Sequence, residues 1–346
     1  MPDATELLLD RASIAAVDAS DQLTDVLALP EHLRDALWKV ESAGLRRAVT
    51  PGGLVVAGMG GSGIGGALAR AALGDHASRP ILFARAYGLP AWTTPDTTVL
   101  CASYSGDTEE TLACFEAAGS AGAERVVLTT GGPLAERARA EGVPVIGVPS
   151  GMQPRAAVVY MTVGALECAT LAGAAPPLRE EVEAAAATLE ELGADDEPDE
   201  IARALRDTLP VVYGAEITAA PARRWKTQLN ENSKIAAFAG ELPEANHNEI
   251  EGWRWGHDHA PLSAVFLTAP GQHPRVEGRI DLTASLLVGQ GVRVVRAGAR
   301  GDSGVAKVLS LVMLGDLVSV RLAQLSGVDP EPVVYIEGFK DGLGSP

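Results

Sequence analysis

The sequence predicts an α/β protein built from two doubly wound domains, flavodoxin-like or Rossmann-like, each a parallel sheet flanked by helices, with an N-terminal helical extension. Three observations lead there. From about residue 50 onward, short apolar runs alternate with longer Ala-rich amphipathic ones, the rhythm of strand, helix and strand in a parallel sheet. That rhythm is interrupted once by an acidic stretch and then resumes. Glycine-rich and hydroxyl-rich turns follow two of the strand candidates, at the strand ends where α/β sheets place their ligands.

Within residues 1–50, Leu23, Val26, Leu27, Leu33, Leu37 and Val40 fall at helical spacing, so this segment reads as two helices broken near Pro30. A first domain, 51–177, follows, with strands expected at 54–57, 81–84, 98–102, 125–129 and 143–148 and helices near 64–74, 108–119 and 133–140. Between Leu178 and Glu200 lie ten acidic residues, where Ala-rich helix gives way to Gly193-Ala194-Asp195-Asp196-Glu197-Pro198, so 178–200 reads as a solvated helical linker. The second domain, 201–346, has strand candidates at 210–214, 235–239, 264–268 and 292–297, with helices near 216–230, 278–290 and 303–325. The halves share rhythm rather than recognisable residues, as expected of an old duplication.

With 346 residues and 47% apolar composition, the chain can bury two ordinary cores without staples. A formal charge of −17 and no cluster of Lys and Arg argue against a nucleic-acid partner. Cys101, Cys114 and Cys168 each sit in an apolar run with no CxxC spacing, and read as reduced core residues rather than metal or redox ligands. The start, Met1-Pro2-Asp3-Ala4-Thr5-Glu6, lacks the basic and apolar pattern of a secretory signal, and no apolar run reaches the roughly 18 residues of a membrane span. A soluble, cytoplasmic protein with no membrane partner is expected.

Directly after the first strand comes Gly58-Met59-Gly60-Gly61-Ser62-Gly63-Ile64-Gly65-Gly66 and an Ala-rich helix. Glycines let backbone N–H groups approach an anion, and the helix start adds about half a unit of positive charge. Gly58, Gly60 and Gly63 also spell GxGxxG, a weak dinucleotide signal by itself. An NAD enzyme needs an acidic residue after the next strand, but Ile81-Leu82-Phe83-Ala84-Arg85-Ala86-Tyr87 has none, and Arg85 leaves only NADP as a dinucleotide reading. The third strand ends in Ser103-Tyr104-Ser105-Gly106-Asp107-Thr108-Glu109-Glu110-Thr111. Ser103, Ser105 and Thr108 can aim hydroxyls at a phosphate, beside Gly60, Gly61 and Ser62 of the first turn. The competing explanation is helix capping by Ser105 or Asp107, supported by Glu110.

Together with Pro149-Ser150-Gly151-Met152-Gln153-Pro154-Arg155-Ala156-Ala157, Asn230-Glu231-Asn232-Ser233-Lys234 and Asn246-His247-Asn248-Glu249-Ile250-Glu251-Gly252-Trp253, these turns form five motifs in order. In that order they resemble the bifunctional phosphoglucose/phosphomannose isomerases, members of the sugar isomerase (SIS) domain proteins, over nearly the whole chain from residue 50 onward. The resemblance implies two SIS-type domains. It also implies an aldose–ketose isomerase for glucose 6-phosphate, mannose 6-phosphate and fructose 6-phosphate that works through an enediolate with neither metal nor cofactor.

Such chemistry needs a base, a cation and help in opening the sugar ring. Glu231 matches the family's base-bearing motif, and a carboxylate can shuttle a proton between C1 and C2 if burial raises its pKa toward working pH. Arg155, at the opening of a helix, can hold the enediolate oxygens with its fork of donors. His247, polar on both sides, can exchange a proton with the ring oxygen, and in the family the equivalent residue reaches a neighbouring subunit, implying a homodimer with shared sites. Lys340, one of five lysines, stands where the family carries a lysine that assists ring opening. The bland alternatives are a surface Glu231, a helix-end salt bridge for Arg155 and a dipole-compensating Lys340. His257, Asp258 and His259 raise the question of a metal, but no further Cys or His motif accompanies them, and none is expected. Asp329-Pro330-Glu331-Pro332 departs from the family, placing glutamate where relatives often carry threonine near the sugar's C2 end, which bears on the choice between epimers. Two rival functions remain: a non-catalytic sugar-phosphate sensor and an NADP-dependent dehydrogenase.

Overall fold

A computed structural model describes residues 9, 11–256 and 258–344. Near its start lie α1 (Arg11–Ala15), α2 (Gln22–Leu27) and α3 (Leu29–Ser42). The two expected helices are α2 and α3, which break at Ala28, close to Pro30, and α1 precedes them. Pro30 itself occupies the first turn of α3, where a missing N–H costs nothing.

The first sheet is built from β1 (Leu54–Ala57), β2 (Ile81–Ala84), β3 (Thr98–Ala102), β4 (Glu124–Thr129) and β5 (Val145–Gly147), all parallel, in the order β2-β1-β3-β4-β5. Its helices are α4 (Gly60–Leu73), α5 (Glu109–Ser120), α6 (Gly132–Ala140) and α7 (Val158–Leu171). Phe115, Leu112 and Leu134 from α5 and α6 pack with Val55, Val99 and Val127 of the sheet. Helix α7 was expected only as a helix opening near Arg155, without its extent. Almost every side chain along it is buried, so it shows none of the one-sided periodicity by which a helix is read from sequence.

The acidic stretch expected as a linker is mostly helix, α8 (Arg179–Gly193) followed by α9 (Glu197–Leu205). The second sheet holds β6 (Leu209–Gly214), β7 (Phe238–Glu241), β8 (Leu262–Thr268) and β9 (Arg293–Gly298), parallel and ordered β7-β6-β8-β9. Around it lie α10 (Ala219–Glu231), α11 (Glu249–Gly256), α12 (Pro274–Gly289), α13 (Gly304–Ser326) and α14 (Val334–Leu343). Strand β7 starts three residues later than expected. Asn230 Oδ1 accepts the Ala237 N–H at 2.9 Å, and Lys234 takes φ 57°, so 232–237 is a folded turn rather than extended chain.

The chain divides into two compact units, one of Ala28–Ala187 with Ser303–Ala306, the other of the described part of Met1–Leu27 with Thr188–Asp302 and Lys307 onward. The division falls inside α8, and the N-terminal segment is shared between the units. In the second unit α10 is fastened to α13 at three heights. Arg224 donates from Nε and Nη2 to Asp316 at 3.0 and 2.7 Å, with both side chains buried; Trp225 Nε1 donates to the Leu311 carbonyl at 2.7 Å; and Asn232 Nδ2 donates to Ser319 Oγ at 2.8 Å. No helix among the described residues is long and apolar enough to cross a membrane.

Candidate active site

In the first sheet β1 and β3 are neighbours whose connections leave in opposite directions, to β2 on one side and β4 on the other, so their carboxyl ends form the topological switch point. The two turns singled out by sequence sit on those ends. The glycine run is mostly helix rather than loop, since α4 begins at Gly60, and the first turn of α4 carries Gly60, Gly61 and Ser62. Gly61 allows close approach of another segment: a Cβ there would lie 3.1 Å from the Arg155 Cα and from the Pro154 carbonyl oxygen. The first turn of α4 is therefore pressed against the backbone that carries Arg155, whose side chain is 4% exposed and whose Nη1 donates to Gln153 Oε1 at 3.4 Å.

The second turn is locked to the first. Ser62 Oγ accepts the Tyr104 N–H at 3.0 Å, and Ser103 Oγ accepts the Gly106 N–H at 3.0 Å while pairing with Thr108 Oγ1 at 2.9 Å. A hydroxyl oxygen occupied by a backbone donor still has its own proton to give, so Ser62 is polarised toward donation to an anion. Gly106 has φ 77°, and a Cβ there would meet the Gly131 carbonyl oxygen at 2.0 Å, so the sharp turn requires glycine. Tyr104 ties the neighbourhood together: its carbonyl accepts the Thr130 N–H at 3.0 Å and its hydroxyl accepts the Met152 N–H at 3.1 Å. Capping by Ser105 or Asp107 is not what is found. The N-cap of α5 is Thr108, with no side-chain cap bond, and the Ser105 hydroxyl donates to the Asp107 carboxylate instead.

The second sheet has an equivalent switch point between β6 and β8, but its own side chains fill it. Thr218 Oγ1 accepts the Ala215 N–H at 2.9 Å and donates to the Leu267 carbonyl at 3.1 Å, while Gln272 spans the gap from the Ala269 N–H to the Ala215 carbonyl at 2.8 and 2.9 Å. The Glu216 carboxylate accepts the His273 N–H at 3.1 Å, just before α12, where a bound anion would otherwise sit. Among the described residues, the first switch point is not bridged by side chains in this way.

Glu231 is the last residue of α10 and is half-buried. Its neighbours in the motif hold it in place. Asn232 and Ser233 bond to Ser319, at 2.8 Å to the hydroxyl and 2.7 Å to the carbonyl, and Asn230 closes the turn onto Ala237. His247 ends a 3₁₀ turn, Glu244–His247, and is exposed. That turn is pinned by buried Leu242 and Ala245 and by Asn246 Nδ2 donating to Thr283 Oγ1 at 2.9 Å, while Asn248 Oδ1 accepts the Glu249 N–H at the start of α11. Lys340 is exposed on α14.

These residues fall at different ends of the second sheet. Helix α10 leaves the carboxyl end of β6 and returns to the start of its parallel neighbour β7, so Glu231 lies toward the amino ends of the strands. The His247 turn follows the carboxyl end of β7, where the Leu242 N–H donates to the Gly214 carbonyl at 2.9 Å. A strand of this length spans roughly 15–20 Å. A cavity of about 490 Å³ opens at edge strand β7, lined among others by Tyr213, Phe238, Glu249 and Trp253, and none of the residues expected from sequence lines it. His257 lies outside the described residues; among the described ones no cluster of three or more His, Cys, Asp or Glu is placed to hold a metal ion. The three cysteines are free and buried.

Two parallel-sheet units, with hydroxyl- and glycine-rich turns at the switch point of the first, define a double sugar-isomerase-domain protein. Comparison with known proteins agrees. Residues 194–343 match the family described as the bacterial phospho-glucose isomerase C-terminal SIS domain. A bifunctional phosphoglucose/phosphomannose isomerase of Aquifex aeolicus is 40% identical over 298 residues, 84% of this chain and 90% of the relative; that of Thermoplasma acidophilum is 34% identical over 90% of this chain and 96% of its own. In fold, the chain is similar to the C-terminal domain of a glucosamine-fructose-6-phosphate aminotransferase from Francisella tularensis, with TM-score 0.70 and 15% identity over 89% of this chain and 96% of that one. The chain belongs to the bifunctional phosphoglucose/phosphomannose isomerase family and is an isomerase.

Proposed function

We propose that this isomerase interconverts glucose 6-phosphate and mannose 6-phosphate with fructose 6-phosphate by proton transfer through a cis-enediolate, needing neither metal nor redox cofactor. The observation that carries this reading is the paired cradle on β1 and β3, in which Ser62, following Gly60 and Gly61, accepts the Tyr104 N–H beside the mutually bonded Ser103 and Thr108, with Gly61 against the backbone of the buried Arg155. In this reading those residues, with Ser105 once its hydroxyl leaves Asp107, hold the phosphate and so fix the sugar's register. Glu231 carries the proton between C1 and C2. Arg155 stabilises the charge that develops on the enediolate oxygens. His247 and Lys340 exchange protons at the ring oxygen and the departing hydroxyl as the ring opens.

The separation of Glu231 and His247 along the second sheet supports a homodimer in which each site takes its histidine from the neighbouring copy. A cytoplasmic location fits a protein whose substrates are cytoplasmic metabolites. The sensor reading finds less support, because the residues around Glu231 are spent on fixing the turn that carries it, which mere binding does not require. Glu231→Gln tests the proposal. Removal of a general base is expected to lower kcat on the order of 10²- to 10⁴-fold with fructose 6-phosphate binding retained in calorimetry. Full activity in the variant removes Glu231 from the mechanism.

A further inference from the structure

Lys234 closes the motif that contains Glu231, three residues beyond it. Its backbone sits at φ 57°, in the left-handed region that a residue with a Cβ occupies only when its surroundings impose it. What imposes it is the end of the side chain. Nζ donates to the carbonyl of Glu231, to that of Pro330 at 2.9 Å and to that of Pro332 at 2.6 Å. The last carbonyls of a helix have no partner within it, and the negative end of the helix dipole favours a cation there, so the ammonium also caps α10. On the other side, Pro330 and Pro332 have no N–H of their own, and Asp329 Oδ1 takes the Glu331 N–H at 2.9 Å, so this stretch turns its carbonyls toward the lysine.

We propose that Lys234 is a positioning residue for the isomerase reaction. It ties the end of α10 that carries Glu231 to the segment leading into α14, and so sets the base relative to Lys340. The inference rests on Glu231 and Lys340 having the roles given above. Helix α14 depends on such a tether, because it buries none of its own residues: Tyr335 is 94% exposed and Phe339 69%, so apolar packing does not fix where Lys340 stands. Lys234 acts through the backbone of others rather than on the sugar.

Three variants test it. Lys234→Met keeps the apolar stem and removes the donors. Lys234→Gly removes the side chain at a backbone angle that glycine prefers, so the turn itself is relieved rather than strained. Lys234→Arg keeps charge and donors. In Met and Gly variants kcat is expected to fall on the order of 10- to 100-fold, the usual effect of a small misplacement of reacting groups, with KM for fructose 6-phosphate changed less than about threefold because the phosphate cradle lies on the other unit. Amide hydrogen exchange across 334–343 is expected to speed up in both, and the Arg variant to restore part of kcat and of the protection. A kcat within about twofold of wild type in the Gly variant, or unchanged exchange across 334–343, overturns the proposal. Exchange reports the tether without turnover, so inactive wild-type protein overturns the catalytic reading alone, whereas unchanged exchange overturns the tether.

Discussion

Glu231 is held by what surrounds it in sequence: each of Asn230, Asn232, Ser233 and Lys234 bonds to a different part of the second unit or a different group of one residue. The motif was legible as a unit, yet the bonds that fix it were not, because the partners Ser319, Ala237 and Pro330 lie up to about a hundred residues away and leave no local pattern. Ser103 and Thr108 were legible as hydroxyls of one turn; that Ser105 gives its proton to Asp107 was not, because both capping and phosphate binding use the same residue types. Glu167 shows how a residue's protonation follows from placement alone. Burial on α7 pushes its carboxyl above the ordinary value, against the smaller, opposing pull of Arg179. The native state therefore holds this proton more tightly than the unfolded chain, so the group's contribution to stability is full below the ordinary carboxylate value and is lost as pH rises through the raised one. Glu167→Gln, which cannot ionise, is expected to melt above wild type at about pH 8 and to lose that advantage toward about pH 4. A constant difference in melting temperature across that range contradicts the assignment.

At the scale of elements, short strands were readable even when fully buried, and the helix buried on nearly all sides was not. The alternation of apolar runs located β1, β2, β3 and β4 within a residue, because these strands are short and bounded by turns. Only the opening of α7 was foreseen and not its extent, because it is buried on nearly all sides, and β7 was placed too early because the turn that delays it is set by the side chain of Asn230 and the backbone of Lys234. The contact that holds α10 was equally invisible: an arginine at 224 and an aspartate at 316 give no hint of each other in sequence. In the fold they form a buried, two-pronged ion pair between α10 and α13. Removing one partner of such a pair strands the other charge in a dry interior. Asp316→Ala is accordingly expected to lower unfolding free energy by about 3–5 kcal/mol in urea titration. A loss under about 1 kcal/mol shows that Arg224 finds other partners and that α10 is anchored elsewhere.

The whole molecule repeats one architecture and uses the copies differently. Both sheets begin with the same strand order, but the second has closed its switch point with Thr218, Gln272 and Glu216, while the first carries the glycine- and hydroxyl-rich turns proposed to hold the phosphate. The repeated rhythm was visible in the sequence; the division of labour was not, since closing a site takes ordinary polar residues. Shared sites between two copies make a sharp prediction. Co-expressed Glu231→Gln and His247→Asn chains, purified as the mixed dimer, are expected to recover about half of wild-type activity, because one of two sites then holds both native residues. Activity no greater than that of either parent variant means that base and histidine act within one chain. The most direct test of the account is the reaction itself: protein dialysed against chelator, supplied separately with glucose 6-phosphate and mannose 6-phosphate, with fructose 6-phosphate measured as it forms. Steady production of fructose 6-phosphate from both aldoses is the predicted result; a protein that is stabilised by fructose 6-phosphate yet converts neither aldose contradicts it.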